Sequence, residues 1–164
     1  PPPPPPFQAE DGIRDIHCSL VGSEMCIRDR ADDMKLPPLV PQADPQKVVD
    51  QHLDALNACD WNRLMAQYPD DVHIILPDGG EAVGRDAVGK LFAGFCKPKA
   101  DGGLKGLKFT TLSTFTVDGT LNVQWVADAD FLAEPYKGAD AYVTRDGLMA
   151  AQVTTFDGSK LKFK

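Results

Sequence analysis

The fold of this chain is decided by residues 107–156, LKFTTLSTFTVDGTLNVQWVADADFLAEPYKGADAYVTRDGLMAAQVTTF. The stretch is rich in Thr, Val, Leu and Phe, and two Asp-Gly pairs, at 118–119 and 146–147, are typical of tight hairpin turns. Strands are predicted at 107–117, 121–132, 139–145 and 148–156. Two such hairpins among long alternating strands predict a strongly curved antiparallel sheet packed on helices.

Upstream of these strands, apolar residues recur at helical spacing. Asp44-Pro45 is typical of a helix N-cap followed by proline in the first turn, so a helix is predicted over 45–58. Two more helices and two short strands are predicted at 61–68, 85–96, 72–76 and 81–83. Three helices are too few to cover both faces of the sheet. We therefore expect an α+β fold whose helices close the hollow side of the sheet over a cavity.

Four segments carry a resemblance to a known family: VVDQHLDALNACD at 48–60, YPDDV at 68–72, GRDAV at 84–88 and GADAYVTRDG at 138–147. With the order of elements, they make residues 44–157 similar to SnoaL-like proteins, ketosteroid isomerases and their nuclear transport factor 2-like relatives. The resemblance implies a cone-shaped, cystatin-like α+β domain, with a curved antiparallel sheet closed by three N-terminal helices. It also implies a homodimer.

The resemblance leaves the reaction open, because this superfamily includes isomerases, cyclases, dehydratases, hydrolases and proteins that only bind. In ketosteroid isomerases a carboxylate base precedes a proline on the first long strand. The matching residue here is Leu76, which cannot accept a proton. The oxyanion-binding tyrosine of that family matches His52, and its protonated aspartate matches Asp140. A steroid-isomerase mechanism is therefore not expected.

Strand alternation places a polar cluster on one face of the last two strands, with Asp140 and Tyr142 on the first of them. If that face points inward, burial raises the pKa of the Asp140 carboxyl group, which can then donate a hydrogen bond or act as a general acid. The candidate catalytic residues are Asp140, His52 and Tyr142. The expected pocket is lined by Ile74, Leu76, Phe92, Trp125, Gln152, Thr154 and Phe156. The alternative is that Asp140 and His52 are structural.

Two functions of different class stay open. In the first, the domain is a small cofactor-independent enzyme that performs acid–base chemistry on an apolar, oxygen-bearing molecule, with Asp140 as acid and His52 and Tyr142 as helpers. In the second, it is a non-catalytic pocket or dimerisation module that binds a small hydrophobic ligand. The missing base at Leu76 favours the second function. Trp125 fits either a pocket wall or a dimer interface.

Charge and composition argue against other classes. A formal net charge of −7 and a pI near 4.8 argue against nucleic acid as a partner, because phosphate binding requires clustered Lys and Arg. The longest apolar runs are too short for a membrane span. Neither a metal nor a cofactor is expected, since no zinc pattern or phosphate loop is present. Cys59 and Cys96 are predicted to be buried free thiols, with a disulfide as the alternative.

The residues before Asp44 lie outside the predicted domain, 44–164. Residues 1–30 begin with six prolines, show no helical or strand period, and resemble the translated remnant of a sequencing adapter. We expect them to be disordered. Residues 31–43, ADDMKLPPLVPQA, are predicted to form a Pro-rich tether. Localisation stays open between the cytoplasm and export to the periplasm, the latter if a signal peptide preceded Ala31.

Overall fold

The structure, a computed structural model, describes residues 34–164. Residues Leu36–Lys164 form one compact unit, which is the subject of all that follows. The interpretation of residues 1–30 as a disordered adapter remnant, and the first residues of the predicted tether, lie outside the described residues.

Residues 36–43 of the predicted tether lie against the rest of the domain. The Val40 N–H group donates a hydrogen bond of 2.8 Å to the Ala66 carbonyl oxygen. The guanidinium group of Arg85 donates one of 2.7 Å to the Pro37 carbonyl oxygen. Because these hydrogen bonds hold the segment, the compact unit starts at Leu36, upstream of the predicted boundary at Asp44.

The α-helices are α1 Pro45–Ala58, α2 Trp61–Met65 and α3 Arg85–Phe95. The predicted start of α1 is confirmed, because the Asp44 Oδ1 atom accepts a hydrogen bond of 3.0 Å from the Lys47 N–H group. Helix α2 is shorter than the predicted 61–68 and is followed by a turn. None of the helices in the described part of the chain is long and apolar enough to cross a membrane.

The strands are β1 His73–Ile75, β2 Glu81–Val83, β3 Lys108–Val117, β4 Thr120–Asp128, β5 Tyr136–Arg145 and β6 Leu148–Phe156. They form one sheet in the order β2-β1-β6-β5-β4-β3. All neighbours are antiparallel except β1 and β6, which run parallel. The four long antiparallel strands are confirmed. The parallel pairing was not predicted, because a three-residue strand carries no signal of its direction.

The strand boundaries differ from the predicted ones at one corner of the sheet. Strand β4 ends at Asp128 rather than at residue 132, where the Asp128 Oδ1 atom accepts a hydrogen bond from the Ala129 N–H group. Strand β5 starts at Tyr136 rather than at residue 139, because its pairing with β4 continues to Ala127. Both predicted Asp-Gly turns are present, with positive φ angles at Asp118 and Asp146.

Two irregularities in register bend the sheet, between Thr111 and Ser113 in β3 and between Val143 and Thr144 in β5. The helices pack on one face of the sheet, and the main core lies between them. A second apolar cluster surrounds Trp125 at the other end of the long strands. The hollow face therefore carries both cores, and the opposite face is open to solvent.

Cys59 and Cys96 follow the last residues of α1 and α3. Both are free thiols and the alternative of a disulfide is not formed, but they are half-buried rather than buried as predicted. Burial raises the pKa of the Cys96 thiol to about 12, with a further contribution from the neighbouring Cys59 thiol. Cys96 is therefore held in its unreactive, protonated form near neutral pH.

Candidate functional site

A cavity of about 440 Å³ lies between the hollow face of the sheet and the helices α1 and α3. Its wall is mostly Leu and Phe side chains, with Leu53 from α1 and Leu91 from α3 among them. The polar side chains are few, and three of them come from β5 and β6: Asp140, Gln152 and Thr154. A concave, apolar site with a few convergent polar groups is typical of a pocket for a small molecule.

Each of the seven side chains expected in the pocket lies in its wall, and Asp140 does so as well. Trp125 is only 1% exposed and forms part of the wall, so it is not available as a dimer contact. His52 and Tyr142 are not in the wall. Both are fully buried in the layer behind Asp140, out of reach of a molecule in the cavity.

Asp140 lies on β5 between Val123 of β4 and Thr154 of β6, and the side chains of Asp140 and Thr154 line the cavity. Its Oδ2 atom accepts a hydrogen bond of 2.7 Å from the Tyr142 hydroxyl group. Its Oδ1 atom is buried and has no hydrogen-bond partner. Burial raises the pKa of the Asp140 carboxyl group, and hydrogen bonds, that from Tyr142 first, oppose this increase.

Two further buried polar atoms at this end of the cavity make no hydrogen bond of ordinary geometry. One is Oε1 of Gln152, and the other is Nε1 of Trp125, whose N–H group still lies close enough to Asp140 to lower the pKa of its carboxyl group. The Gln152 amide group is oriented by its Nε2 atom, which donates a hydrogen bond of 3.0 Å to the Thr154 hydroxyl oxygen. Unpartnered polar atoms are rare in protein interiors and costly in free energy. They mark the polar end of the otherwise apolar cavity.

His52 belongs to an aromatic cluster beneath the site. Its Nδ1 atom is 3.1 Å from the Tyr68 hydroxyl oxygen, and its ring packs edge-on against the ring of Tyr142 at 5.5 Å. Burial lowers the pKa of His52 to about 3, so the imidazole is neutral near neutral pH. His52 thus supports Tyr142, which in turn orients Asp140.

The position of the absent base is occupied by Leu76 in the pocket wall. Asp78, two residues further along, brings a second carboxylate to the wall. Its side chain is exposed, and its Oδ1 atom accepts a hydrogen bond of 2.9 Å from the Gly80 N–H group. Asp78 was not predicted as a site residue, because it belongs to a Pro-Asp-Gly-Gly turn, where aspartate is common for local reasons.

Trp125 reaches its place because its partner on β5 is Gly138. A Cβ atom at Gly138 would lie 2.3 Å from the Cζ2 atom of Trp125, which is closer than any real contact. The missing side chain lets the indole ring lie across β5 and pack edge-on against Phe109 and Tyr136, at 5.0 Å and 5.6 Å. Gly138 therefore shapes the wall of the pocket.

Within residues 34–164, no group of three or more His, Cys, Asp or Glu side chains is placed to hold a metal ion.

The fold and the site define an α+β protein whose curved six-stranded sheet encloses a cavity of small-molecule size. The family model of the SnoaL-like domain matches residues 49–152, and the chain belongs to this family. A search of curated proteins finds no match.

Solved structures share this fold at low sequence identity. A Mycobacterium tuberculosis protein is 19% identical with a TM-score of 0.61, over 76% of this chain and 99% of its own. A candidate ketosteroid isomerase from Kribbella flavida is 18% identical with a TM-score of 0.56, over 68% of this chain and 76% of its own. A computationally designed 17-OHP binder is 20% identical with a TM-score of 0.58, over 73% of this chain and 95% of its own. At such identities the likeness concerns the fold alone.

Proposed function

We propose that this protein binds a small, mainly apolar molecule in the cavity, with the polar group of that molecule at Asp140. The observation that carries this proposal is the cavity itself, which is lined by apolar side chains except for a buried polar end with unpartnered atoms. Burial of an apolar molecule supplies the affinity, and the polar end supplies orientation. A designed binder with the same fold supports a binding role without chemistry.

Titration with Nile red, an uncharged apolar dye, tests this proposal. The wild-type protein should bind the dye with enhanced fluorescence. Leu53→Trp places a larger side chain in the cavity wall and should lose binding, because the dye and the indole ring compete for the same volume. Val83→Trp, on an exposed position of β2, is the matched control and should bind like the wild type. Equal binding by both variants would contradict a site in the cavity.

A second candidate function is acid–base catalysis, and the specific observation in its favour is the buried Asp140 carboxyl group with Oδ1 unpartnered in the cavity wall. Asp78 is the other carboxylate in the wall. Two observations favour binding alone: Leu76 occupies the position of the base, and His52 and Tyr142 lie behind the cavity wall. Incubation with 2-tetralone in deuterated water distinguishes the two functions. An enzyme would exchange the α-hydrogens of the ketone faster than buffer does, and Asp140→Asn would abolish the excess rate.

We also propose a homodimer built on the outer face of the sheet, which is the face opposite the cavity. One row of residues across β3 to β6 on this face consists of Phe115, Asn122, Ala141 and Val153. None of these is charged, and Phe115 is 54% exposed. A second copy of the chain is the partner that the implied dimerisation of the family favours. The finer shape, a cone closed by three helices, is likewise a proposal.

A further inference from the structure

Two cysteines lie at the ends of the two helices that flank the cavity. Cys59 is the C-cap residue of α1, and its N–H group donates a hydrogen bond of 3.0 Å to the Leu56 carbonyl oxygen. Cys96 is the C-cap residue of α3, and its N–H group donates one of 3.0 Å to the Phe92 carbonyl oxygen. Leu56 and Phe92 line the cavity, so each cysteine lies within about one helical turn of the cavity wall.

Phe109 of β3 joins the two helix ends. The side chain of Asn57, in the last turn of α1, accepts a hydrogen bond of 2.7 Å from the Phe109 N–H group. It also donates one of 2.9 Å to the Phe109 carbonyl oxygen. The ring of Phe95, the last residue of α3, stacks on the Phe109 ring with the centroids 6.3 Å apart. Because Cys59 and Cys96 follow Asn57 and Phe95 closely in the chain, the same strand residue holds both cysteines in place.

The two thiols are accessible neighbours. The Cys59 thiol lies near enough to Cys96 to contribute to the raised pKa of that thiol, and the Lys105 ammonium group near Cys96 opposes the increase. Both cysteines are half-buried, so a small oxidant can reach them. Cys96 is protonated near neutral pH, and the thiolate is the form that reacts. We therefore expect Cys59 to react first and Cys96 to follow.

We propose that Cys59 and Cys96 form a reversible disulfide that acts as a redox switch on the cavity. The Cys59 thiolate attacks a sulfur atom of an external disulfide, such as oxidised glutathione, and releases one reduced glutathione. The Cys96 thiol then loses its proton to solvent and attacks the Cys59 sulfur atom, which releases the second reduced glutathione. Two protein thiols are thereby oxidised by two electrons, and one external disulfide is reduced to two thiols.

The disulfide would connect α1 and α3 on the helical side of the cavity. Leu53 of α1 and Leu91 of α3 both line the cavity, so the separation of these helices sets the space through which a ligand passes. A covalent bond between the helix ends restricts that separation, and the exchange of a bound molecule should become slower. This effect rests on the proposed binding function, whereas formation of the disulfide does not.

Oxidation of the full chain tests whether the disulfide forms. The protein carries Cys18→Ser and Cys26→Ser, which remove the two cysteines outside the described residues. After treatment with oxidised glutathione at a pH of about 8, the intact mass should show the loss of two hydrogen atoms, and peptide mapping should show Cys59 linked to Cys96. With Cys96→Ser added, the reaction should stop at a glutathione adduct on Cys59.

The dissociation rate of Nile red tests the effect on the cavity. The oxidised protein should release the dye several-fold more slowly than the reduced protein, and dithiothreitol should restore the faster rate. The matched control carries Cys59→Ser and Cys96→Ser together and receives the same treatments. Its rate should not change, because it cannot form the bond.

The mass and the rate separate the two proposals. If oxidised glutathione gives no link between Cys59 and Cys96, or if the linked protein releases Nile red at the rate of the reduced protein, the redox switch is wrong while the binding function stands. If neither the reduced nor the oxidised protein binds Nile red, the binding function is wrong, and so is the effect of the disulfide on the cavity.

Discussion

At the scale of single residues, two buried titratable side chains respond to pH in opposite ways: Asp140 in the cavity wall and His52 behind it. Burial lowers the pKa of His52 to about 3 and raises the pKa of Asp140 above 3.8. Both shifts favour the neutral form, because burial penalises charge. The unfolded chain binds a proton at His52 that the folded chain does not, so acid destabilises through His52. The folded chain keeps a proton at Asp140 that the unfolded chain loses, so alkali destabilises through Asp140.

His52 should account for part of the loss of stability in acid. As the pH falls below about 6.5, the wild-type protein should lose up to about 1.4 kcal/mol of unfolding free energy per pH unit through this residue. In urea unfolding between pH 6 and 4, the free energy of unfolding of His52→Gln should decrease less steeply with falling pH than that of the wild type. Ser113→Ala, at an exposed position without a titratable side chain, is the control and should keep the wild-type slope. Identical slopes for all three proteins would contradict a buried neutral His52.

Asp140→Asn should change stability in the opposite pH range. The variant removes the cost of a buried charge, so its melting temperature relative to that of the wild type should increase as the pH rises from about 4. The increase should level off above the folded pKa of Asp140. Ser113→Ala changes no titratable group and should show no such trend. A difference that does not depend on pH would contradict the burial of an ionisable Asp140.

Strand alternation was enough to place Asp140, Gln152 and Thr154 on one face, because a period of two applies along any regular strand. It could not distinguish the cavity wall from the layer behind it. Tyr142 shares the face of Asp140, yet the structure places it beside the core helices and His52. The local sequence pattern does not indicate how far the helices lie from the sheet, so it could not predict that Tyr142 is buried behind the wall.

At the scale of elements, the pairing of β4 with β5 determines the shape of the cavity. Helix spacing and Asp-Gly turns predicted the helices and the long strands within a few residues, since both signals are local. The pairing of β1 with β6 depends on contacts between residues distant in sequence. Gly138 is an example, because its role depends on the indole ring of Trp125 on the neighbouring strand.

Gly138→Ala should destabilise the protein by about 1 to 3 kcal/mol, because the new methyl group would overlap the Trp125 ring and approach the Thr155 carbonyl oxygen. The measurement is the free energy of unfolding in urea. Gly94→Ala is a matched control within α3, where a Cβ atom meets no other atom within 4 Å. That variant should be as stable as the wild type or more stable, since alanine favours helices. Equal stability of both variants would contradict the close approach of Trp125 to Gly138.

At the scale of the whole molecule, the curved sheet has two faces with different roles. The hollow face holds the cavity, and the outer face carries the uncharged row that we propose for dimer formation. Phe115→Lys places a charge in that row, and it should convert a dimer into a monomer in native mass spectrometry. Lys137→Glu, also on the sheet but outside the row, should keep the dimer. A wild-type protein that is monomeric at micromolar concentration would contradict the proposed interface.

The central claim is that a small apolar molecule binds inside the sheet beside Asp140. Its most direct test is the nuclear magnetic resonance spectrum of the two indole N–H groups, those of Trp125 and Trp61, during titration with 9-fluorenol. Trp125 is in the cavity wall and Trp61 is not. The account predicts that the Trp125 signal shifts and saturates while the Trp61 signal stays in place. Binding that leaves the Trp125 signal unmoved would contradict it.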